Sequence, residues 1–179
     1  MNEPGIPALA GTETEKNLRA ALSAEGQVRL RYECGAACAR TEGYRAVADT
    51  FARIAENERA HGEIWLRLLD GAPDTATRLR AACQGEHAEW SGMYAGFAQK
   101  AREEGFAEIA ALFERVASVE RTHEEDFGRW LASWEAGAIF RGDSSTAWKC
   151  LNCGFVFVGA EPPSSCPACS QPRDFFLRA

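Results

Sequence analysis

The amino-acid sequence predicts a mainly α-helical protein, in which a four-helix bundle is followed by a small C-terminal β-domain that binds a metal. The first observation is an internal repeat, because residues 39–61 and 101–123 are identical at 11 of 23 positions when one is laid on the other. The second is a pair of Cys-x-x-Cys motifs near the C-terminus. A long repeat outranks local propensity as a guide to architecture, so we interpret it as two related helical hairpins.

Four helices are predicted from the spacing of apolar residues and from the signals at the helix ends. The first begins near Glu13, after the capping-box pattern that starts at Thr12, and ends at about residue 40. The other three cover about residues 45–69, 75–101 and 107–134. Each hairpin turns at a Glu-Gly-aromatic sequence, around Gly43 and Gly105. The predicted domains are a flexible arm (1–11), a four-helix domain (12–140), a linker (141–146) and a cysteine-rich domain (147–179).

The composition limits the classes of function. A net charge of −6 and a pI of 5.2 argue against nucleic acid or an anionic membrane as a partner. No apolar run approaches the length that spans a bilayer, and the first residues lack the basic end and apolar core of a signal peptide. We therefore expect a cytoplasmic protein, whose seven cysteines are reduced thiols or metal ligands rather than disulfides.

Each copy of the repeat carries a Glu-x-x-His motif, Glu58 with His61 and Glu120 with His123. Residues three apart on a helix lie one turn apart on the same face, so each motif can present a carboxylate and an imidazole together. A single motif is weak evidence, because glutamate is common on solvated helix faces. Two copies in matching contexts indicate a site for a pair of metal ions inside a helical bundle. The remaining histidine, His87, is expected on the surface or beside the site rather than in it.

Three further glutamates lie at the same depth as these motifs. Glu25 is 18 residues before Gly43, Glu86 and Glu89 are 19 and 16 before Gly105, and each Glu-x-x-His glutamate follows its turn by 15. At about 1.5 Å of rise per residue, these levels agree to within about one helical turn. The seven predicted ligands are Glu25, Glu58, His61, Glu86, Glu89, Glu120 and His123. Five carboxylates cannot share a dry site as bare anions, so two divalent cations are predicted, and mixed oxygen and imidazole ligands favour iron or manganese.

The C-terminal domain carries Cys150-x-x-Cys153 and, twelve residues later, Cys166-x-x-Cys169. So short a segment cannot stabilise itself by core burial alone, and we predict that the four thiolates bind one metal ion. A zinc ribbon is the alternative to an iron site. The other cysteines, Cys34, Cys38 and Cys83, are predicted to be small packing residues.

Two known families carry these motifs. The segments Ala24-Glu25-Gly26-Gln27, Glu58-Arg59-Ala60-His61, Glu86-His87-Ala88-Glu89-Trp90 and Glu120-Arg121-Thr122-His123 resemble rubrerythrin, over about residue 12 to the C-terminus. The segments Trp148-Lys149-Cys150-Leu151-Asn152-Cys153-Gly154-Phe155 and Cys166-Pro167-Ala168-Cys169, with Phe175, resemble rubredoxin. The resemblance implies a ferritin-like four-helix bundle with a di-iron centre, followed by a rubredoxin-like domain with one iron bound by four cysteines.

The resemblance also implies a role for each ligand. Glu58 and Glu120 would bridge the two irons, Glu25 and Glu86 would be terminal ligands, and His123 would bind one iron. Glu89 and His61 would exchange at the other iron as the redox state changes. Tyr32 and Tyr94 match tyrosines that the family keeps near the site. Gly26 and Gly92 depart from the family, in which a polar or acidic side chain is frequent at these positions.

The function that the resemblance implies is the reduction of hydrogen peroxide to water in oxidative-stress protection. Electrons would pass from a separate NADH-dependent reductase, or from a rubredoxin, to the tetrathiolate iron and then to the di-iron site. The chain has no Gly-x-Gly-x-x-Gly fingerprint, so it is not expected to bind NADH itself. The alternatives are a ferritin-like ferroxidase that handles iron, and an electron carrier with an inactive helical site.

The connection between the second and third helices predicts a homodimer. Ferritin-like bundles run these two helices parallel, which needs a crossover as long as the bundle. The second helix is about 37 Å long, whereas the four residues 71–74 reach only about 14 Å. We therefore predict a swapped dimer, in which the first two helices of one chain pack on the third and fourth of its partner. A monomeric up-down-up-down bundle is the alternative.

Overall fold

The computed structural model describes residues 9–179, which fall into two compact units that meet at Pro73 and Asp74. Most of the predicted N-terminal arm lies outside the described residues. The first unit is one helical hairpin, and the second combines a helical hairpin with the cysteine-rich domain.

The first unit consists of α1 (Glu13–Thr41) and α2 (Arg45–Asp70). Helix α1 begins where the capping-box pattern predicts, because the Thr12 hydroxyl accepts a hydrogen bond from the Glu15 amide at 3.1 Å. The Glu15 carboxylate in turn accepts from the Gly11 amide at 2.7 Å. The Glu15 amide, one of those that a helix start leaves without partners, is therefore satisfied by a side chain, and the Glu15 carboxylate holds the residue before the cap.

The two hairpins turn in the same way, as the repeat predicts. Gly43 and Gly105 both adopt left-handed backbone conformations, with φ of 87° and 85°, which a residue with a Cβ adopts only with strain. In each turn the amide of the following aromatic residue donates at 2.8 Å to the carbonyl five residues earlier, Tyr44 to Ala39 and Phe106 to Ala101. These bonds satisfy the last carbonyls of the incoming helix and fix the register of the outgoing one.

The helical hairpin of the second unit contains α3 (Thr75–Ala88), a π-helical turn (Glu89–Met93), α4 (Tyr94–Glu103) and α5 (Ala107–Glu135). The third helix was predicted to be continuous over residues 75–101, and this prediction is wrong in its middle. The amide of Tyr94 donates to the carbonyl of Glu89, five residues back, which is the bond that defines a π-helical turn.

The π-helical turn accommodates one extra residue in the second hairpin. Tyr32 lies seven positions after Glu25 in α1, whereas Tyr94 lies eight positions after Glu86. Both tyrosines nevertheless stack on the repeat-related phenylalanines at nearly the same distance, 5.9 Å for Tyr32 and Phe51 and 6.0 Å for Tyr94 and Phe113. The π-helical turn therefore accommodates the extra residue, so that Glu86 before it and Tyr94 after it still correspond to Glu25 and Tyr32 of the first hairpin.

Alanines are the only buried side chains of the helices within the described chain, and several large apolar side chains stay exposed. On α2, Ile64 is 41% exposed, one turn beyond His61. On α5, Leu112, Val116 and Val119 are 37–55% exposed and lead up to Glu120. Each hairpin thus leaves apolar surface uncovered next to its Glu-x-x-His motif.

The cysteine-rich domain is a three-stranded antiparallel sheet in the order β2-β1-β3. The strands are β1 (Ala147–Cys150), β2 (Val156–Val158) and β3 (Phe176–Arg178). Its core is formed by Trp148, Cys150, Cys166 and Phe176, with Phe175 packed against it. The indole of Trp148 donates to the Gly159 carbonyl at 2.8 Å, so its one polar atom is satisfied within the core.

Two of the three remaining cysteines were predicted wrongly as packing residues. Cys34 and Cys38 are exposed, because α1 faces α2 through the neighbouring small residues Gly35 and Ala39, and a Cβ on Gly35 would lie 3.2 Å from the Phe51 ring. The Cys38 thiol donates to the Glu42 carboxylate at 3.3 Å, and this hydrogen bond raises the pKa of the thiol.

Over residues 9–179, no helix combines the length and the apolar character that crossing a bilayer requires.

Candidate metal centres

The first candidate centre is a triad of Glu25, Glu58 and His61, whose ligand atoms lie within 4.8 Å of one another. Helix α1 supplies Glu25, and α2 supplies the other two from adjacent turns. The Nδ1 atom of His61 is 2.8 Å from the Glu58 carboxylate and 3.9 Å from that of Glu25. The Glu58 side chain is 16% exposed, so it is held at the helix–helix contact rather than in open solvent.

The second candidate centre repeats this geometry with Glu86, Glu120 and His123. Helix α3 supplies Glu86, and α5 supplies the Glu-x-x-His pair. The Nδ1 atom of His123 is 2.7 Å from the Glu120 carboxylate and 3.6 Å from that of Glu86, and the Glu120 side chain is again 16% exposed. The repeat in the sequence is therefore a repeat of a ligand set, with one imidazole and two carboxylates in each hairpin.

Both triads fit a divalent cation. Burial and the adjacent Glu120 carboxylate raise the pKa of Glu86, because two like charges at close range disfavour ionisation. A cation would remove this penalty by giving both carboxylates a common counter-charge. One imidazole nitrogen and two carboxylate oxygens per triad are the mixed donor set that suits iron.

Glu89 stands apart from the other six predicted helical ligands. It is the first residue of the π-helical turn, one turn after Glu86, and its charge contributes to the raised pKa of that residue. Its carboxylate is not part of the group formed by Glu86, Glu120 and His123. Direct ligation by Glu89 therefore stays a prediction, as do the roles of Tyr32 and Tyr94.

Sequence reasoning missed the residues around His87. The Glu124 carboxylate lies 3.1 and 3.2 Å from His87 Nδ1 and accepts a hydrogen bond from the Trp90 indole at 2.5 Å. His87 is exposed and is not a member of either ligand triad. A signal for Glu124 was present in the repeat, because His87 and Glu124 stand where the first hairpin has Gly26 and Gly62.

The third centre is formed by the four C-terminal cysteines, Cys150, Cys153, Cys166 and Cys169. Two sulfur–sulfur distances, between Cys150 and Cys169 and between Cys153 and Cys166, are both 3.7 Å. A tetrahedral metal ion with bonds of about 2.3 Å to sulfur requires an edge of about 3.8 Å. The four thiols are therefore already arranged for tetrathiolate binding.

The ionisation of these thiols also indicates a cation. Hydrogen bonds from the Asn152 side chain and the Gln171 amide lower the pKa of Cys169 to about 6. At Cys153 the amide of Phe155 acts in the same direction, but burial and the other three cysteines outweigh it and raise the pKa to about 12. Four sulfurs this close cannot all ionise without a bound metal ion, which would supply the missing charge.

Comparison with known proteins extends these observations to the whole chain. A family model described as "Rubrerythrin" matches residues 16–131, and one described as "Rubrerythrin, rubredoxin-like domain" matches residues 148–177. The rubrerythrin of Porphyromonas gingivalis is 39% identical over 94% of this chain and 91% of its own length. That of Nitratidesulfovibrio vulgaris is 36% identical over 96% of each.

Nigerythrin is a more distant relative. The nigerythrin of Nitratidesulfovibrio vulgaris is 30% identical over 91% of this chain and 85% of its own. A solved structure titled "Fully reduced state of nigerythrin (all ferrous)" covers 99% of this chain and 95% of its own, at 26% identity and a TM-score of 0.37.

The six-ligand helical set and the tetrathiolate site thus lie within matched segments of two family models. Together these models cover most of the chain, and the curated relatives cover nearly all of it. The chain belongs to the rubrerythrin family, with a di-iron site of glutamate and histidine ligands and a rubredoxin-like site of four cysteines.

Proposed function

We propose that this protein is a non-haem di-iron peroxidase that reduces hydrogen peroxide to water and so protects against oxidative stress. The observation that carries the proposal is the repeated triad, in which two hairpins present the same three ligands at nearly the same distances. Hydrogen peroxide needs two electrons and two protons to become two molecules of water. A pair of ferrous ions, when bound, supplies one electron from each ion.

The protein's own residues would hold the ions and manage the protons. Glu58 and Glu120, each the least exposed carboxylate of its triad, would hold both ions, which is the bridging role that the resemblance to rubrerythrin implies. Glu25 and Glu86 are then terminal ligands, and each imidazole, fixed by its own helix, limits the positions that its ion can take. Tyr32 and Tyr94 each stack against a phenylalanine and are assigned to pass protons towards the site.

We assign the rubredoxin-like site to electron entry. Cys153 is exposed whereas Cys150 and Cys166 are buried, so one edge of the tetrathiolate faces solvent, where a reductase or a rubredoxin can dock. The thiolates of such a site need a reducing compartment, which supports a cytoplasmic location. The tetrathiolate also separates the candidate functions, because a ferroxidase that only stores iron has no use for an electron-entry site.

We further propose that the working unit is a homodimer that exchanges its hairpins. Four residues, 71–74, join α2 to α3 and reach at most about 14 Å, whereas α2 with its 26 residues is about 39 Å long. A bundle with these two helices parallel therefore requires the second hairpin of another chain. The apolar side chains left exposed beside each motif, such as Ile64 and Val116, supply the surface that such a partner would cover.

Stopped-flow oxidation of the fully reduced protein tests the reaction. We expect hydrogen peroxide to reoxidise both kinds of iron centre at least about tenfold faster than an equal concentration of dioxygen. Peroxide is the two-electron acceptor that matches a pair of ferrous ions. Faster oxidation by dioxygen with mineralised iron would favour the ferroxidase, and a helical site that stays ferrous with either oxidant would favour the electron carrier.

A pair of variants separates the two centres. Glu120→Ala removes a proposed bridging carboxylate and should abolish iron binding at the helical site while leaving the tetrathiolate absorption intact. Cys153→Ser should do the converse, keeping the helical irons but lowering reductase-driven peroxide turnover by more than about tenfold, because electrons no longer enter. Iron analysis and visible spectroscopy measure both. If Glu120→Ala retained its helical irons, the ligand assignment would be wrong.

A longer connection between the hairpins tests the exchanged dimer. Inserting about twenty Gly and Ser residues between Pro73 and Asp74 gives the chain enough reach to cross the bundle and pair its own hairpins. We expect the natural protein to elute as a dimer, and the insertion variant to shift to a monomer that still binds iron. A natural protein that is a stable monomer with its irons bound would refute the exchange. The same length inserted in the linker at Gly142 serves as a control and should leave the dimer unchanged.

A further inference from the structure

Glu124 joins α5 to the π-helical turn of the same hairpin. Its carboxylate accepts a hydrogen bond from the indole nitrogen of Trp90, the second residue of the turn, and contacts His87 Nδ1 at 3.1 Å. The rings of His87 and Trp90 meet edge to face, with centroids 5.1 Å apart. These three side chains, which we call the Glu124 bracket, tie the entrance of the π-helical turn to the helix that carries Glu120 and His123.

The π-helical turn has a cost that local contacts offset. Such turns are rare, because the extra residue disturbs the regular ladder of helical hydrogen bonds. The Ser91 hydroxyl donates at 2.6 Å to the His87 carbonyl, which lies at this disturbed part of the ladder. The Trp90–Glu124 bond adds a contact to the neighbouring helix, and the Glu124 side chain is only 30% exposed, so the bond is partly shielded from water.

The first hairpin provides an internal comparison. There α1 is continuous, and the residues that correspond to His87 and Glu124 are Gly26 and Gly62. Neither glycine can form such a bracket. The residue three positions after Glu25 is Val28, whereas the residue three positions after Glu86 is the additional carboxylate Glu89. The bracket, the π-helical turn and the extra carboxylate therefore occur together in one hairpin, and all three are missing from the described part of the other.

We propose that Glu124 is a positioning residue for the di-iron site, which acts through Trp90 to hold the π-helical turn and so to keep Glu89, the carboxylate that would exchange with His61, within reach of the site. Glu124 itself lies outside both ligand triads. The bracket fixes the backbone on both sides of Glu89 while leaving the Glu89 side chain free to approach. This inference rests on the proposed assignment of the two triads as the di-iron ligands.

Three variants and one control test the bracket. Glu124→Ala removes the acceptor, Trp90→Phe removes the donor but keeps a ring, and Glu124→Gln keeps an acceptor oxygen without the charge. Glu125→Ala is the control, because Glu125 follows Glu124 on the same helix and forms only an exposed contact with Arg121 at 3.9 Å. The full-length chain, with iron already in its tetrathiolate site, is titrated with Fe²⁺ under anaerobic conditions, and the thermal unfolding midpoint is measured before the titration.

We expect Glu124→Ala and Trp90→Phe to weaken Fe²⁺ binding at the helical site by about 10- to 100-fold, which is the usual effect of removing a group that orients a ligand. Glu124→Gln should restore most of the affinity, and Glu125→Ala should bind as the natural protein does. The unfolding midpoints of all four variants should agree within a few degrees, since the effect is on ligand position rather than on folding.

Three results would overturn the proposed role of the Glu124 bracket. The first is natural affinity in Glu124→Ala, and the second is equal loss in the Gln and Ala variants, which would indicate a charge effect instead of the Trp90 bond. The third is a fall in the unfolding midpoint that accounts for the lost affinity. If the natural chain bound no Fe²⁺ at the helical site, the ligand assignment would fail before any variant was compared, and the bracket would fall with it.

Discussion

The structure depends on the need to neutralise carboxylates that its helices hold close together in partly shielded positions. Each hairpin brings two glutamates and an imidazole within 4.8 Å of one another, and burial together with the nearby Glu120 carboxylate raises the pKa of Glu86. Helix pairs whose buried residues are alanines gain little from burying apolar surface, so they need another source of cohesion. Bound cations supply it by turning a repulsive cluster into a set of ligands.

The cysteine-rich domain follows the same principle on a smaller scale. Its core consists of a few residues around two thiol pairs, and two of the core residues, Cys150 and Cys166, are themselves ligands. Part of the hydrophobic core of this domain is therefore formed by the residues that bind its metal ion. Folding of this domain and binding of its metal ion are expected to be coupled, since four thiolates this close repel one another unless the ion supplies a counter-charge.

Much of the fold and of the site could be predicted because it depends on local rules. The capping pattern at Thr12, the glycine turns and the Glu-x-x-His spacing each act within a few residues, and the repeat doubles the evidence for them. The π-helical turn could not be predicted from apolar periodicity, because one inserted residue shifts the pattern without breaking it. The contact of Trp90 with Glu124 joins residues 34 apart, and only the packed hairpin brings them together.

We expect three irons per chain, of which the helical ligands hold a coupled pair and the thiolates hold a single iron. Mössbauer spectroscopy of the natural protein loaded with ⁵⁷Fe and oxidised tests it most directly. Two thirds of the iron should give the signal of a spin-coupled ferric pair with oxygen and nitrogen ligands, and one third should give that of a tetrahedral ferric thiolate. Only the thiolate signal, or two uncoupled helical irons, would contradict it.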